Sequence, residues 1–376
     1  MRAKLDVEQY LRDLEHLVNI DSHTADPEGV EAVAGFFERA FAEAGWSVKR
    51  VDIGTGAGPC LEATNGQPPY DALLLGHMDT VFPKGTVSDR PYSRDGDRAF
   101  GPGVVDMKSG LLFALYAARE LTATGASGSF CIAFNSEEET GSTSARPWIE
   151  RLARESRSSI VLEPARASGN LVNQRKGIGH IHAVFHGRAA HAGVEPEKGA
   201  SAVNEMARWI IELNELANVD RGTTLNTGLV SGGTGANVVP EVASITVDVR
   251  VRSLDEAERI AARIEEMKAR PFTPGVSVDA GLVMTRPPMN PDAGTQRLCA
   301  LVEEAAGEAG VEFGWQATGG GSDGNFTAAL GVPTVDGMGP VGGRSHSVDE
   351  YLDLASLPSR FDMLMGVLAR IPGSEV

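Results

Sequence analysis

Three short runs, at residues 72–75, 130–134 and 159–162, apolar throughout but for Ser159, each stop at side chains able to bind a cation. The first is followed by Gly76, His77, Met78 and Asp79, and the second by Asn135, Ser136, Glu137, Glu138 and Glu139. The third is followed by Glu163 and Pro164. A run that is apolar at every position reads as a strand buried on both faces, the kind found in parallel sheets covered by helices. The segments between these runs have helical spacing. Leu5, Tyr10, Leu11, Leu14, Leu17 and Val18 recur on one stripe. Val33, Phe36, Phe37 and Phe41 do so over 30–44, where Gly45 is placed to end the helix, and residues 108–121 read as a further helix. Strands alternating with helices predict an α/β sheet. In such sheets ligands bind beyond the carboxyl ends of the strands, so one edge is expected to gather His77, the glutamates at 137–139 and Glu163.

The middle of the chain has a different grammar. It reads as a strand at 178–185, a helix at 200–216, strands at 223–230 and 243–252, a helix at 254–268 and a strand at 276–283. Ile245, Val247, Val249 and Val251 alternate onto one face. This β-α-β-β-α-β order is ferredoxin-like, and Pro271, Pro274, Pro287, Pro288 and Pro291 punctuate its end. The expectation is an α/β domain of residues 1–176 and 288–376, interrupted by an inserted α+β domain of residues 177–287.

Charge and cysteine content narrow the function. With 34 Lys+Arg against 51 Asp+Glu, the net charge is −17, which disfavours nucleic acid and anionic membrane surfaces as partners. Cys60, Cys131 and Cys299 lie far apart with no CxxC, so neither a disulfide framework nor a cysteine-ligated zinc site is expected. There is no run of 18 apolar residues to span a membrane. The charged, helix-patterned stretch 1–14 lacks an apolar signal core, and the expected location is cytoplasmic.

Taken singly, each polar residue has an ordinary reading. A loop histidine is usually solvated, Glu137-Glu138-Glu139 resembles an acidic surface, and Asp106, after Gly101-Pro102-Gly103-Val104-Val105, reads as the cap of the next helix. Together, His77, His346, Asp106 and two glutamates are the donor types that hold a pair of divalent cations. Asp79, two residues past His77, is placed to orient that imidazole. A further glutamate is left to handle protons.

The segments His77-Met78-Asp79-Thr80-Val81-Phe82-Pro83-Lys84-Gly85, Gly101-Pro102-Gly103…Asp106-Met107-Lys108 and Phe134-Asn135-Ser136-Glu137-Glu138-Glu139-Thr140-Gly141-Ser142 closely resemble the M20 family of dinuclear zinc metallopeptidases. The chain looks most like the glutamate carboxypeptidase (carboxypeptidase G2) group of that family. The resemblance continues in order through Glu163-Pro164, Arg188-Ala189-Ala190-His191-Ala192-Gly193, Gly319-Gly320-Gly321-Ser322-Asp323 and Ser345-His346-Ser347. It implies a zinc-peptidase α/β catalytic domain carrying the insertion as a dimerisation lid, with two zinc ions per subunit replaceable by cobalt or manganese. His77 and Glu163 would bind one ion, Glu139 and His346 the other, and Asp106 would bridge them. Glu138 would be the general base and Asp79 the support of His77. His191 would reach the partner's active site in a homodimer and stabilise the oxyanion. Arg250, and Asn237 in Gly235-Ala236-Asn237-Val238-Val239-Pro240, would bind the substrate's free carboxylate or its vicinity.

The implied reaction is hydrolysis of the amide bond to a C-terminal amino acid in a small peptide. The nearest alternative is an N-acyl amino acid deacylase or deacetylase on the same site. A catalytically silent metal- or peptide-binding protein is the alternative from another class, and it would have no need of Glu138. After Glu163 the stretch Ser168-Gly169-Asn170-Leu171-Val172 lacks the basic and hydroxyl contacts that glutamate-releasing members carry there, which leaves Arg175, Lys176 and Arg286 as substitutes.

Overall fold

The computed structural model describes residues 5–54 and 56–376, which form two compact units. The first comprises residues 5–174, 290–318 and 322–376, and the second 175–289 with 319–321.

The first unit is built on a six-stranded mixed sheet. Its order is Ser47–Val51, Cys60–Thr64, Phe130–Asn135, Ala72–His77, Ser159–Val161, Thr334–Val335. The first two are antiparallel additions, and the other four run parallel. Burial on both faces accounts for the apolar runs. Along Ala72–His77, Ala72 and Leu74 join one core, and Leu73 and Leu75 join the other. Phe130, Ile132 and Phe134 likewise face the first, and Cys131 and Ala133 the second. Helices Val7–Val18, Pro27–Glu43, Ser109–Thr124, Ala293–Ala309 and Leu357–Arg370 contribute to the first core, and Arg146–Arg154 to the second. Gly45, at φ 82°, follows the second helix in the left-handed conformation that its position requires.

The pair Ser47–Val51 and Cys60–Thr64 is absent from the sequence reading. The edge strand Ser47–Val51 is exposed at Ser47, Lys49 and Arg50, with only Val48 and Val51 partly buried, so it presents no apolar run. A small four-stranded sheet also escaped that reading. It pairs Gly342–Gly343 with Tyr351–Asp353, then Arg98–Phe100, then Ser93–Asp95.

In the second unit the chain runs strand Gly177–His186, helix Ala202–Glu215, strands Thr224–Gly232 and Val242–Val251, helix Leu254–Ala269, strand Ser277–Arg286. The strands form one antiparallel sheet in which Gly177–His186 lies between Val242–Val251 and Ser277–Arg286, and Thr224–Gly232 is at the far edge. Ala243, Ile245, Val247, Val249 and Val251 pack with Ile181, Ala183 and Phe185 against Trp209, Leu213, Ile260 and Ile264 of the helices. No helix among the described residues is long and apolar enough to cross a membrane.

Candidate metal centre

Three neighbouring parallel strands of the first unit end at the same edge. His77 is the last residue of Ala72–His77, the Glu138–Thr140 turn follows Phe130–Asn135, and Glu163 follows Ser159–Val161. Two loops complete the cluster. Gly101–Gly103 leads into a turn, Val104–Lys108, in which Asp106 is non-helical (φ −114°, ψ 89°) before the helix Ser109–Thr124 begins. The other loop carries His346 at φ 64°.

The donor atoms converge around Asp106. Its Oδ1 lies 3.3 Å from His77 Nε2 and its Oδ2 lies 3.3 Å from His346 Nε2. His77 Nε2 is also 3.5 Å from Glu163 Oε1, and His346 Nε2 is 3.2 Å from Glu139 Oε2. The arrangement is two histidine–carboxylate pairs sharing the two oxygens of one aspartate. Donor atoms of His77, Asp106 and Glu139 lie within 4.8 Å of one another, as do those of His77, Glu138 and Glu163. Glu138 thus borders the His77 side of the cluster, and distance alone does not separate a ligand from a base.

The tautomer of His77 is settled by its other nitrogen. Nδ1 donates to the Asp79 carbonyl at 2.9 Å, so neutral imidazole keeps its lone pair on Nε2, facing carboxylate oxygens. The expected support by Asp79 therefore comes first through its carbonyl, with its carboxylate Oδ1 at 3.3 Å from Nδ1. That carboxylate, fully buried, mainly serves another purpose. It accepts the Thr24 hydroxyl at 2.6 Å and the backbone N–H groups of Glu138 and Glu139 at 3.1 and 3.2 Å. It ties the glutamate turn to the end of the histidine strand.

Charges inside the cluster answer one another. The bonds to Asp106 and Glu139 push the His346 imidazole up to about 11. Burial opposes protonation of His77, but Asp106, Asp79 and Glu163 together hold it well above the usual histidine value. Burial would raise Asp106, yet the two histidines keep it far below the ordinary carboxylate range. Burial, reinforced by the Asp106 charge, raises Glu163, and burial raises Glu139. Cation-holding donors fit this pattern. Glu139 Oε1 is buried with no hydrogen-bond partner, an arrangement that is costly unless a cation meets the oxygen.

Sequence reasoning missed several supporting residues. Glu350, fully buried, accepts backbone N–H bonds from Gly103, Val105 and Asp106. Lys108, also buried, donates to the Ile20 and Pro102 carbonyls, and burial lowers its amine to about 8. Behind the glutamate turn, Asp323 accepts from Ser142 at 2.5 Å and from Asn135 at 2.8 Å. Lys108 stands in the Asp106-Met107-Lys108 segment, Asn135 and Ser142 in the Phe134–Ser142 segment and Asp323 in the Gly319–Asp323 motif, whereas Glu350 stands in none of them.

The remaining expected site residues lie on the second unit. His191 is exposed in a loop where the Gly193 N–H donates to its Nδ1 at 3.2 Å. This leaves the proton of the neutral ring on Nε2. Asn237 is exposed nearby, its carbonyl accepting the Ala192 N–H at 3.0 Å. Arg250 is half-buried on the face opposite the helices. Its Nε donates to Asp248 at 2.9 Å and its Nη1 to the Gly319 carbonyl at 3.4 Å. Arg175 donates to the Gly320 and Gly321 carbonyls of the same loop.

A mixed α/β domain with a histidine–carboxylate cluster at the carboxyl edge of its parallel strands is the framework of a metal-dependent hydrolase. The chain belongs to peptidase family M20/M25/M40, whose model matches residues 73–370. It is 30% identical over 363 residues to carboxypeptidase G2 of Pseudomonas sp. (strain RS-16), covering 94% of this chain and 87% of that one. It is 29% identical over 374 residues to N-acetyl-L-citrulline deacetylase of Xanthomonas campestris, covering 92% and 94%. Among solved structures, aminopeptidase PepT from Bacillus cereus superposes with a TM-score of 0.83 at 25% identity, over 98% of this chain and 99% of that one. The M20 family metallo-carboxypeptidase Sso-CP2 from Sulfolobus solfataricus shares the fold, with a TM-score of 0.75 at 17% identity over 97% and 100%. The protein is a hydrolase of this family.

Proposed function

We propose that the protein is a dinuclear metallo-exopeptidase that hydrolyses the amide bond to a C-terminal amino acid in small peptides. The observation that carries the reading is Asp106, whose two oxygens are each paired with a different histidine. In this reading His77 and Glu163 hold one divalent ion, Glu139 and His346 the other, and Asp106 both, the ions being zinc, replaceable by cobalt or manganese. Such a pair, when bound, polarises the scissile carbonyl and brings the pKa of water down towards 7.

The chain's own groups do the rest. Glu138 accepts the proton of the attacking water on its carboxylate and delivers it to the leaving nitrogen. Asp79 holds Glu138 in place through the Glu138 N–H. His191, whose Nδ1 accepts the Gly193 N–H, turns its Nε2 into a donor suited to a developing oxyanion, worth roughly 3–4 kcal/mol for one such group. Its reach to the site belongs to a homodimer formed through the ferredoxin-like lid, residues 177–287. Arg250, and Asn237 in the exposed loop that precedes the strand carrying Arg250, supply donors for the free carboxylate that marks a C-terminal residue. The expected location is cytoplasmic.

The identity shared with N-acetyl-L-citrulline deacetylase favours a second reading, in which the same site removes an acyl group from an N-acyl amino acid. One experiment separates the readings. Metal-stripped protein, reloaded with zinc, is assayed on dipeptides and N-acyl amino acids with varied C-terminal side chains. The exopeptidase reading expects kcat/KM to vary mainly with the C-terminal residue. Variation mainly with the acyl group supports the deacylase, and no hydrolysis of either panel by the reloaded protein overturns both.

A further inference from the structure

The bridging aspartate and the loop histidine come from distant parts of the chain, and one buried carboxylate joins them. Glu350 lies four residues after His346 and immediately before the strand Tyr351–Asp353. That strand pairs with Arg98–Phe100, placing Tyr351 opposite Phe100, and the chain beyond Phe100 is the Gly101–Gly103 turn leading to Asp106. From this position the Glu350 Oε2 accepts the Gly103 N–H at 3.1 Å. Its Oε1 accepts the Val105 and Asp106 N–H groups at 2.9 and 3.0 Å.

These are donors that the turn itself does not satisfy. Gly103 is left-handed at φ 72°, and Asp106 departs from helical geometry, so their N–H groups need a partner from elsewhere in the chain. Buried donors left without one are costly. Both Glu350 oxygens are occupied by backbone, so this carboxylate is not itself a ligand. It fixes the backbone from which the Asp106 side chain divides between His77 and His346. The ammonium of Lys108 reaches the Pro102 carbonyl of the same turn and the Ile20 carbonyl, holding the turn from a second side.

We propose that Glu350 is a positioning residue that locks the Asp106 turn to the His346 loop, setting the geometry of the two-ion site. The inference rests on the reading of Asp106 and His346 as ligands. Outer partners of this kind typically govern metal affinity by 10–100-fold.

The test uses metal-stripped full-length protein titrated with Co2+, followed by calorimetry and by the visible d–d absorption, which reports ligand geometry. Glu350→Gln keeps the shape. Its amide oxygen can still accept from Val105 and Asp106, while its NH2 opposes the Gly103 N–H. Asp349→Asn, at an exposed neighbour paired with Arg344, is the control. Thermal unfolding and circular dichroism of the stripped proteins report folding separately. The expected result is a folded Glu350→Gln protein that binds at least one Co2+ about tenfold or more weakly, with an altered visible spectrum. Asp349→Asn should match wild type. A Glu350→Gln protein with wild-type affinity and spectrum overturns the proposal, whether or not its unfolding temperature falls. Wild-type protein that binds no Co2+, or that binds it equally well after Asp106→Ala, refutes the ligand assignment, and the proposal falls with it.

Discussion

Asp79 offers a perturbation whose magnitude can be worked from its contacts. Its buried carboxylate accepts the Thr24 hydroxyl and the N–H groups of Glu138 and Glu139. Asp79→Ala strands all three donors. The hydroxyl can rotate to another acceptor, but the two amides are fixed by the turn. A buried unsatisfied group costs about 1–3 kcal/mol, so two cost roughly 2–6 kcal/mol. Glu138 and Glu139 are only partly buried, so water offsets some of this, and the loss should fall at about 2–4 kcal/mol, a large value for a single substitution. Asp79→Asn differs in kind. An amide oxygen at the Oδ2 position keeps Thr24 and Glu139, and only the Glu138 N–H and the His77 side face an NH2. Its stability loss should be about 1–2 kcal/mol, while metal affinity falls 10–100-fold. Urea unfolding of stripped protein gives the first quantity, and calorimetric titration with zinc gives the second. An Asp79→Ala protein within about 0.5 kcal/mol of wild type, the range of ordinary surface substitutions, would refute the accounting. So would an Asp79→Asn protein with unchanged metal affinity.

The other predictions concern protons, packing and substrate. With the His346 imidazole pushed up to about 11, it carries a proton at pH 7 that a cation must displace. Zinc binding should therefore release protons, and its heat should differ between buffers of unlike ionisation enthalpy; identical heats would contradict the pairing. In stripped protein the folded value lies above the ordinary histidine value near 6.5. The His346 contribution to stability is thus fully present below pH 6.5 and is lost as pH rises towards 11. Denaturation midpoints should accordingly fall between pH 7 and 10, and a rising midpoint would contradict the sign. A Cβ on Gly110 would sit 2.1 Å from the Leu162 carbonyl oxygen, beside Glu163. Gly110→Ala should cost about 1–3 kcal/mol and weaken metal binding, whereas a neutral effect on both would show that the two segments are not in fixed contact. Arg250→Ala should raise KM for substrates with a free carboxylate and leave metal content unchanged; an unaltered KM removes Arg250 from substrate binding.

How legible each feature was in the sequence depended on the kind of interaction behind it. The strands Ala72–His77 and Phe130–Asn135 were readable because burial on both faces leaves no polar position in them before their last residues, His77 and Asn135. His77, Glu139 and Glu163 were readable because the carboxyl ends of parallel strands sit at one edge. Ser47–Val51 was not, since an edge strand with three exposed positions, two of them the basic Lys49 and Arg50, has no apolar signature. Glu350 and the carboxylate of Asp79 were hidden for another reason. Their partners are backbone N–H groups, which every residue carries. No side-chain pattern records such a bond until the turn that presents the donors is in place.

Glu138 separates this account from its neighbours most directly, because its carboxylate groups with His77 and Glu163 closely enough to pass for a ligand. The decisive measurement is metal content and turnover of Glu138→Ala, determined side by side on the same reloaded preparation. Glu138→Ala should keep two ions per chain while its turnover falls by at least about 10²–10⁴-fold, the scale of a lost general base. A variant that loses one ion, or that keeps both and turns over like wild type, would contradict it.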